Sequence, residues 1–162
     1  MLAIAKIWES KSLIRFPDCD PFNHLNNARY IDYFINARED QLMQYMQFNI
    51  YNYAAETGLS WFVSKNQIVY LKPAFLMETV MIDSTILALR EKDILVEMKM
   101  WNEKKDKLKS ILWSNFVHIN LKTQKTETHS TALMEMFKPL ENTPGTINFD
   151  ERVEAFKKNF TA

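Results

Sequence analysis

Two carboxylates and an imidazole lie close together near the start of the chain. Asp18, Asp20 and His24 occupy a short polar segment, and a long amphipathic segment follows from about Asn27. Carboxylates and imidazoles act as general bases, and the free amides at the start of a helix stabilise negative charge that develops on a substrate. The spacing therefore indicates acid–base chemistry beside the beginning of a helix.

Each of these side chains also has a structural interpretation. Asp18 and Asp20 are two residues apart, so in an extended loop they point in opposite directions, and aspartate is common in turns and caps. His24 fits a base, a pH-dependent switch or a structural hydrogen-bond donor. Asn26 and Asn27 precede the amphipathic segment, and capping explains at least one of them.

A metal site is not expected here. Metal ligands occur in groups of histidine, cysteine and carboxylate side chains, and no further histidine or cysteine is suitably spaced around His24. His118 and His129 are distant in sequence and are expected in a strand and a loop.

A cysteine or serine nucleophile is not expected either. The carboxylates that flank Cys19 raise the pKa of its thiol and disfavour the thiolate. The chain contains no Gly-x-Ser-x-Gly segment, no Gly-rich phosphate loop and no dinucleotide-binding fingerprint.

The composition argues against several classes of protein. The chain of 162 residues has 20 basic and 20 acidic residues and no formal net charge, which disfavours a nucleic-acid-binding protein. Its single cysteine excludes an internal disulfide and favours a reducing compartment. It shows neither a signal-peptide pattern nor an apolar run that could span a membrane. We therefore expect one domain, residues 1–162, in the cytoplasm.

Helices and strands are predicted in separate parts of the chain. From Asn27 apolar residues fall on one broad helical face, which Arg38 and Gln41 interrupt. A shorter helix is expected at residues 50–56, with Gly58 as its stop signal. Strand patterns fall at residues 11–17, 61–71, 79–89, 94–102 and 107–121. Short turns between long strands imply an antiparallel meander, so we predict an α+β fold with a curved antiparallel sheet around one helix.

The tail, residues 130–162, is expected to pack on this domain. Residues 131–137 fit either a last strand or a short helix. Residues 150–160 predict an amphipathic terminal helix, with Asp150 as its cap.

A longer motif resembles a known family. Residues 18–34, DCDPFNHLNNARYIDYF, are similar to the signature of the hotdog-fold acyl-CoA thioesterases of the 4-hydroxybenzoyl-CoA thioesterase type. That signature combines Asp-x-Asp, an asparagine and Tyr-x-x-Tyr-Phe on a central helix. The segment YLKPA at residues 70–74 resembles the family's strand that ends before a Pro-Ala turn. The resemblance covers about residues 11–121.

The resemblance implies roles for particular residues. Asp20 corresponds to the family's catalytic carboxylate, which acts as nucleophile or general base at the thioester carbonyl. His24 and Asn27 correspond to positioning residues. Amides near residues 26–28, or near residues 58–61, are the implied donors to the carbonyl oxygen. Because a thiolate leaves readily, one carboxylate and oriented amides suffice without a triad.

One departure concerns the turn in this motif. Many relatives have glycine where this chain has Asn23. Asparagine tolerates the left-handed conformation, so we expect the turn to be preserved.

The predicted activity is hydrolysis of an acyl- or aroyl-CoA to the free acid and CoA. No metal or cofactor is implied beyond the CoA of the substrate, and no nucleic acid or membrane partner; the family implies a homodimer or homotetramer. The alternatives are an acyl-carrier-protein thioesterase, a non-catalytic acyl-CoA-binding module and a hotdog hydratase, which the spacing of Asp20 and His24 disfavours. The length of the acyl pocket is expected to depend on four side chains: Tyr30, Phe34, Phe62 and Met98.

Overall fold

The computed structural model describes residues 3–160, and its elements follow the predicted order. The strands in this range are β1 (Trp8–Leu13), β2 (Leu59–Tyr70), β3 (Thr79–Leu89), β4 (Asp93–Asn102) and β5 (Leu108–Asn120). The α-helices are α1 (Tyr30–Met46), α2 (Ile50–Thr57), α3 (Thr131–Phe137) and α4 (Phe149–Phe160). Short 3₁₀ turns occur at Phe16–Asp18, Asn27–Arg29 and Lys138–Leu140.

The strands form one antiparallel sheet in the order β1-β3-β4-β5-β2. The predicted meander holds only for β3, β4 and β5. It was wrong for β2, which lies at the far edge and pairs with β5 rather than with β3. The bounds predicted for the first strand were wrong, because β1 begins at Trp8 and ends at Leu13. Pro17 lies instead in the first turn of a 3₁₀ segment, where its missing N–H is not needed.

Helix α1 packs on one face of the sheet, with Phe34 in the main core. The two polar residues that interrupt its apolar face are buried as well. The Arg38 guanidinium donates to Ser84 Oγ at 2.9 Å, and Gln41 Nε2 donates to the Ile82 carbonyl at 3.1 Å. Burial lowers the pKa of Arg38 to about 10. These side chains therefore tie α1 to β3 while Arg38 stays protonated at neutral pH.

The tail adds one helix to each face of the sheet. Residues 131–137 form a helix, α3, whose Phe137 joins the core on the α1 side. On the opposite face α4 inserts Val153 into a second apolar cluster. Arg152 of α4 binds Glu97 of β4 through two hydrogen bonds of 2.9 and 3.1 Å.

The cap of α4 differs from the prediction. Asn148 Oδ1 accepts a hydrogen bond from the Glu151 N–H at 3.0 Å. Because α4 begins at Phe149, Asp150 lies inside its first turn and Asn148 takes the capping position.

Candidate active site

The polar segment folds into a tight two-stranded turn, residues 18–26, which we call the Asp20 loop. Its two sides pair through the backbone: the Asn26 N–H donates to the Asp18 carbonyl at 2.9 Å, and the Asp20 N–H donates to the His24 carbonyl at 2.8 Å. These hydrogen bonds join residues that are close together along the chain.

The tip of the Asp20 loop needs a left-handed residue, which Asn23 supplies with φ of 61°. Asparagine adopts this conformation more readily than other non-glycine residues. Two backbone hydrogen bonds then anchor the loop to the segment after β2. The Leu25 N–H donates to the Ala74 carbonyl at 2.8 Å, and the Leu76 N–H donates to the Asn23 carbonyl at 2.9 Å.

The Asp20 carboxylate is held through one oxygen and open at the other. Its Oδ1 accepts hydrogen bonds from the N–H groups of Phe22 at 2.9 Å and His24 at 3.1 Å. Its Oδ2 accepts none from the residues that the structure describes, and the side chain is half-buried. A carboxylate oriented in this way can take a proton or attack a carbonyl carbon without reorganising its own loop.

Asp18 is engaged with helix α1 instead. Its Oδ2 accepts a hydrogen bond from the Tyr33 hydroxyl at 2.7 Å, and that hydroxyl accepts one from the Arg15 N–H at 3.0 Å. Burial, followed by the hydrogen bond to Asp18, raises the pKa of Tyr33 to about 12. Burial and then the charges of Asp18 and Asp20 raise the pKa of the Cys19 thiol, which disfavours its nucleophilic form.

His24 contacts Asp20 through its backbone N–H rather than through its ring. The imidazole packs edge-on against Phe75, with the ring centroids 5.1 Å apart, and lies 6.4 Å from the ring of Phe22. His24 therefore contributes an amide to Asp20 and an aromatic wall beside it.

The start of the helix offers one free amide near this loop. Asn26 is the N-cap, because its Oδ1 accepts a hydrogen bond from the Ala28 N–H at 2.9 Å. The Asn26 N–H is bound to Asp18, so the Asn27 N–H remains without a partner among the described residues. The Asn27 carbonyl accepts a hydrogen bond from the Tyr70 hydroxyl at 3.0 Å, which joins the end of β2 to the helix start.

Residues 58–61, the other predicted source of amide donors, lie away from the Asp20 loop of the same chain. Trp61 is near the beginning of β2, whereas Tyr70 at its end contacts Asn27. The intervening strand is about 30 Å long at 3.3 Å per residue. Within one protomer Asn27, and not residues 58–61, therefore adjoins the Asp20 loop.

An apolar cavity of about 190 Å³ lies between α1 and the first half of β2. Its lining includes Ile35, Leu42, Trp61, Val96, Phe116 and Phe137. The four side chains expected to shape an acyl pocket do not line it. Tyr30, Phe34 and Met98 are buried in the core, and the Phe62 side chain is exposed.

A comparison with families of known proteins identifies the class to which this loop belongs. The model of the thioesterase-like superfamily matches residues 14–138. The chain belongs to the thioesterase-like superfamily. The match includes the whole Asp20 loop, α1 and all strands from β2 to β5, and it extends into the tail as far as α3. The predicted enzyme class, a thioester hydrolase, is confirmed by this membership.

Solved structures of thioesterases share this superfamily fold. YbaW, a probable thioesterase from Escherichia coli, aligns with a TM-score of 0.71 and 24% identity over 83% of this chain and 99% of its own. A DHNA-CoA thioesterase from Staphylococcus aureus aligns with a TM-score of 0.73 and 16% identity over 94% of this chain and 93% of its own. The S. aureus protein SAV2348, solved in complex with CoA, gives 0.76 and 16% over 91% of each chain. These alignments confirm the predicted hotdog fold. The comparison with curated proteins found no match to the chain.

The protein also contains a buried group of side chains that the sequence did not predict. This group, the histidine–aromatic cluster, consists of Tyr53, Trp61, His118 and His129. The two imidazoles are buried with their centroids 4.9 Å apart. Trp61 Nε1 donates to His129 Nε2 at 2.9 Å, and the Tyr53 hydroxyl lies 2.9 Å from His118 Nε2. His118 directly opposes Trp61 across β5 and β2, a pairing that neither segment alone indicates.

The tautomer of His129 follows from its two partners. The Trp61 N–H only donates, so His129 Nε2 must accept, and His129 Nδ1 donates to the Arg90 carbonyl at 2.9 Å. His129 is therefore the neutral Nδ1-protonated form. Burial, with a further contribution from His118, lowers the pKa of His129.

Between residues 3 and 160 no three or more histidine, cysteine, aspartate or glutamate side chains are arranged to hold a metal ion. No helix in this range is both long and apolar enough to cross a membrane.

Proposed function

We propose that this protein is an acyl-CoA thioesterase that hydrolyses an acyl- or aroyl-CoA to the free acid and CoA, with Asp20 as the reacting carboxylate. One observation carries the proposal: two backbone amides hold Asp20 Oδ1 while Oδ2 stays available. The free N–H of Asn27 lies at the base of the same loop. A base or nucleophile and an oxyanion donor are thus supplied by one short segment.

Two routes use this arrangement. As a general base, Asp20 Oδ2 accepts a proton from water while the water oxygen bonds to the thioester carbonyl carbon. As a nucleophile, Oδ2 bonds to that carbon itself, and water then hydrolyses the resulting anhydride. In both routes the Asn27 N–H stabilises the negative carbonyl oxygen, and CoA leaves as the thiolate when the C–S bond breaks. The thiolate takes its proton from Asp20 in the first route and from the water that hydrolyses the anhydride in the second.

His24 and Asn27 support Asp20 in this proposal, the first by positioning it and the second by contacting the carbonyl oxygen. His24 orients Asp20 through its N–H, and Asn27 presents the amide that the 3₁₀ turn leaves free. The first half of β2 exposes Phe62 and Val63 at the edge of the sheet. An apolar edge strand is suited to pairing with a second copy, which supports a homodimer or homotetramer.

A thiol-release assay on acyl-CoAs with short, long, branched and aromatic acyl groups tests the proposal. Asp20→Asn should lower kcat by about 10²- to 10⁴-fold, because the amide cannot act as a base or nucleophile. The variant should stay folded, since the asparagine carbonyl still accepts the hydrogen bonds from Phe22 and His24. Asp18→Asn is the matched control: it keeps an acceptor for Tyr33 and should retain most of the wild-type kcat.

Three outcomes would contradict parts of this proposal. Near-wild-type kcat in Asp20→Asn removes the assigned role of the carboxylate. Release of thiol from acyl-carrier-protein thioesters but not from acyl-CoAs replaces the substrate. Tight binding of CoA esters without any thiol release indicates a binding module.

A further inference from the structure

Residues 73–78, which we call the 73–78 turn, connect β2 to β3 and lie directly against the Asp20 loop. Two backbone hydrogen bonds join the loop to the turn, and between them His24 and Phe75 form an isolated β-bridge. The His24 N–H in turn holds Asp20 Oδ1. The position of the carboxylate therefore depends on the position of the 73–78 turn.

Packing alone does little to fix this turn. Ala74 is its one buried residue, and the side chains of Phe75 and Met77 are 47% and 62% exposed. Met77 also has a φ of 64°, which is unfavourable for any residue with a Cβ. Because such a conformation persists only where the surroundings impose it, the 73–78 turn needs contacts from outside itself.

Lys109 of β5 supplies these contacts from the sheet. Its side chain is almost fully buried. Its Nζ donates to the Pro73 carbonyl at 2.7 Å and forms an ion pair with Glu78 Oε1 at 2.6 Å. The same Nζ lies 5.3 Å from the centroid of the Phe75 ring. One ammonium group therefore contacts the first, third and last residues of the turn.

The charges of Lys109 and Glu78 hold each other in place. Glu78 Oε2 is buried and has no hydrogen-bond partner among the described residues, so the carboxylate is held through the oxygen that faces Lys109. Burial of a charge is costly unless the charge is paired, and neither side chain can leave without exposing the other to this cost. The backbone contributes separately, because the Lys109 carbonyl accepts the Leu71 N–H at 2.8 Å.

We propose that Lys109 is a positioning residue of the thioesterase reaction. Its ammonium fixes the 73–78 turn, and this turn fixes the His24 amide that orients Asp20. The inference rests on the proposed function and adds to it a residue of the sheet, outside the loop that carries the carboxylate. Lys109 acts through the loop and not on the substrate.

Lys109→Met tests this role, because it removes the ammonium and keeps a side chain of similar length. In the thiol-release assay kcat should fall about 10- to 100-fold, since a small misplacement of a reacting group has effects of this size. KM should change much less, because the lysine does not contact the substrate. Lys109→Arg keeps a cation beside Pro73 and Glu78 and should recover part of the lost kcat. Wild-type kcat in Lys109→Met would overturn the proposal.

Lys99→Met is the matched control. Lys99 of β4 is as buried as Lys109, but its ammonium pairs with Asp83 and Glu97, which lie on β3 and β4 rather than in the turn. This variant should lose stability and keep the wild-type kcat of the folded protein. An equal loss of kcat in the two methionine variants would show that any buried lysine has this effect, and would overturn the proposal.

A double variant separates positioning from the cost of an unpaired charge. Lys109→Met alone leaves the Glu78 carboxylate buried without its cation, which destabilises the fold. Lys109→Met combined with Glu78→Gln removes both charges and should fold, but its kcat should stay low because the Pro73 carbonyl still lacks its donor. Recovery of wild-type kcat in the double variant would overturn the proposal.

A second double variant shows whether Lys109 acts through Asp20. In the Asp20→Asn background, Lys109→Met should lower the residual kcat little further, because the carboxylate that it positions is already absent. A further loss as large as the loss in the wild-type background would show that Lys109 acts elsewhere.

Amide hydrogen exchange separates this inference from the proposed function, because it needs no turnover. In Lys109→Met the amides of Leu25 and Leu76, which join the loop to the turn, should exchange faster than in the wild type and in the control variant. Unchanged exchange would overturn the positioning role even if acyl-CoAs are hydrolysed. If exchange is faster but no acyl-CoA releases thiol, the proposed function fails and the support of the Asp20 loop by Lys109 stands.

Discussion

The Asp20 loop and the histidine–aromatic cluster are both built from ionisable and aromatic side chains, but they are assembled differently. The loop is local: Asp20 accepts hydrogen bonds from residues two and four positions later. The cluster joins Tyr53 to His118 over 65 residues and Trp61 to His129 over 68. The first site depends on a turn, and the second depends on the pairing of β2 with β5.

The two sites also differ in what their polar atoms do. Asp20 keeps one carboxylate oxygen without a partner among the described residues, whereas both ring nitrogens of His129 are hydrogen-bonded. A free oxygen is available for a substrate, and a saturated imidazole is available only for structure. We therefore expect the reaction at a firmly held side chain that keeps a free hydrogen-bond acceptor, and not at every half-buried ionisable residue.

The largest expected difference between the two sites is in stability. His118→Leu leaves the Tyr53 hydroxyl without its acceptor in the core and should lower the free energy of unfolding by about 1–3 kcal/mol. Asp20→Asn keeps its loop hydrogen bonds and should stay near wild type. Denaturant unfolding followed by circular dichroism measures both. The expected difference between the two sites would be contradicted if His118→Leu were as stable as wild type or if Asp20→Asn were the less stable variant.

The second prediction concerns the backbone of the loop. Asn23→Ala places at φ of 61° a residue that lacks the short polar side chain through which asparagine tolerates this conformation, and it should cost roughly 1 kcal/mol. Asn23→Gly carries no such penalty and serves as the control. The midpoint temperature of thermal unfolding and kcat should both fall in the alanine variant only. No member of the cluster has a positive φ, so backbone strain distinguishes the loop from the cluster. Equal stability of the alanine and glycine variants would contradict this difference between the two sites.

The smallest expected effect is the pH dependence of the cluster. The pKa of His129 is lowered from 6.5 by burial and by His118, so the unfolded chain takes up this proton first as the pH falls. The stability that the neutral ring contributes is complete above pH 6.5 and declines below it, towards the folded-state pKa. Unfolding curves across this range should show the decline in the wild type and a weaker one in His129→Gln. An equal decline in the wild type and in His129→Gln would contradict the assignment of this pH dependence to His129.

Much of the fold was readable from periodicity. The β3 strand has the predicted bounds, and β4 begins one residue earlier than predicted. Helix α2 ends at Thr57 and is capped by Gly58, which has the left-handed φ of 73° expected of a helix stop. The predicted bounds failed at β1 and at the cap of α4. The bounds of β1 follow from its pairing with β3. At α4 both Asn148 and Asp150 can cap a helix, and the position of the first helical turn decides for Asn148.

The candidate site was readable for a related reason. Asp20, His24 and Asn27 lie within one short segment, so their residue types and spacing already imply a held carboxylate beside a helix start. The sequence does not show which of Asn26 and Asn27 caps the helix, because either can do so. Only the hydrogen bonds to Ala28 and Tyr70 distinguish them.

The sequence by itself determined the α+β class, the turn that carries Asp20 and the family motif, because each depends on residues close together along the chain. The tertiary structure decided which Asp20 oxygen is free, which amide is unused and which side chains line the cavity. It also brought His118 and His129 together beside Trp61. The cavity and the cluster require contacts across many tens of residues, which strand register sets. The free oxygen and the unused amide depend on hydrogen bonds within and beside the Asp20 loop, whose geometry the residue types alone do not specify.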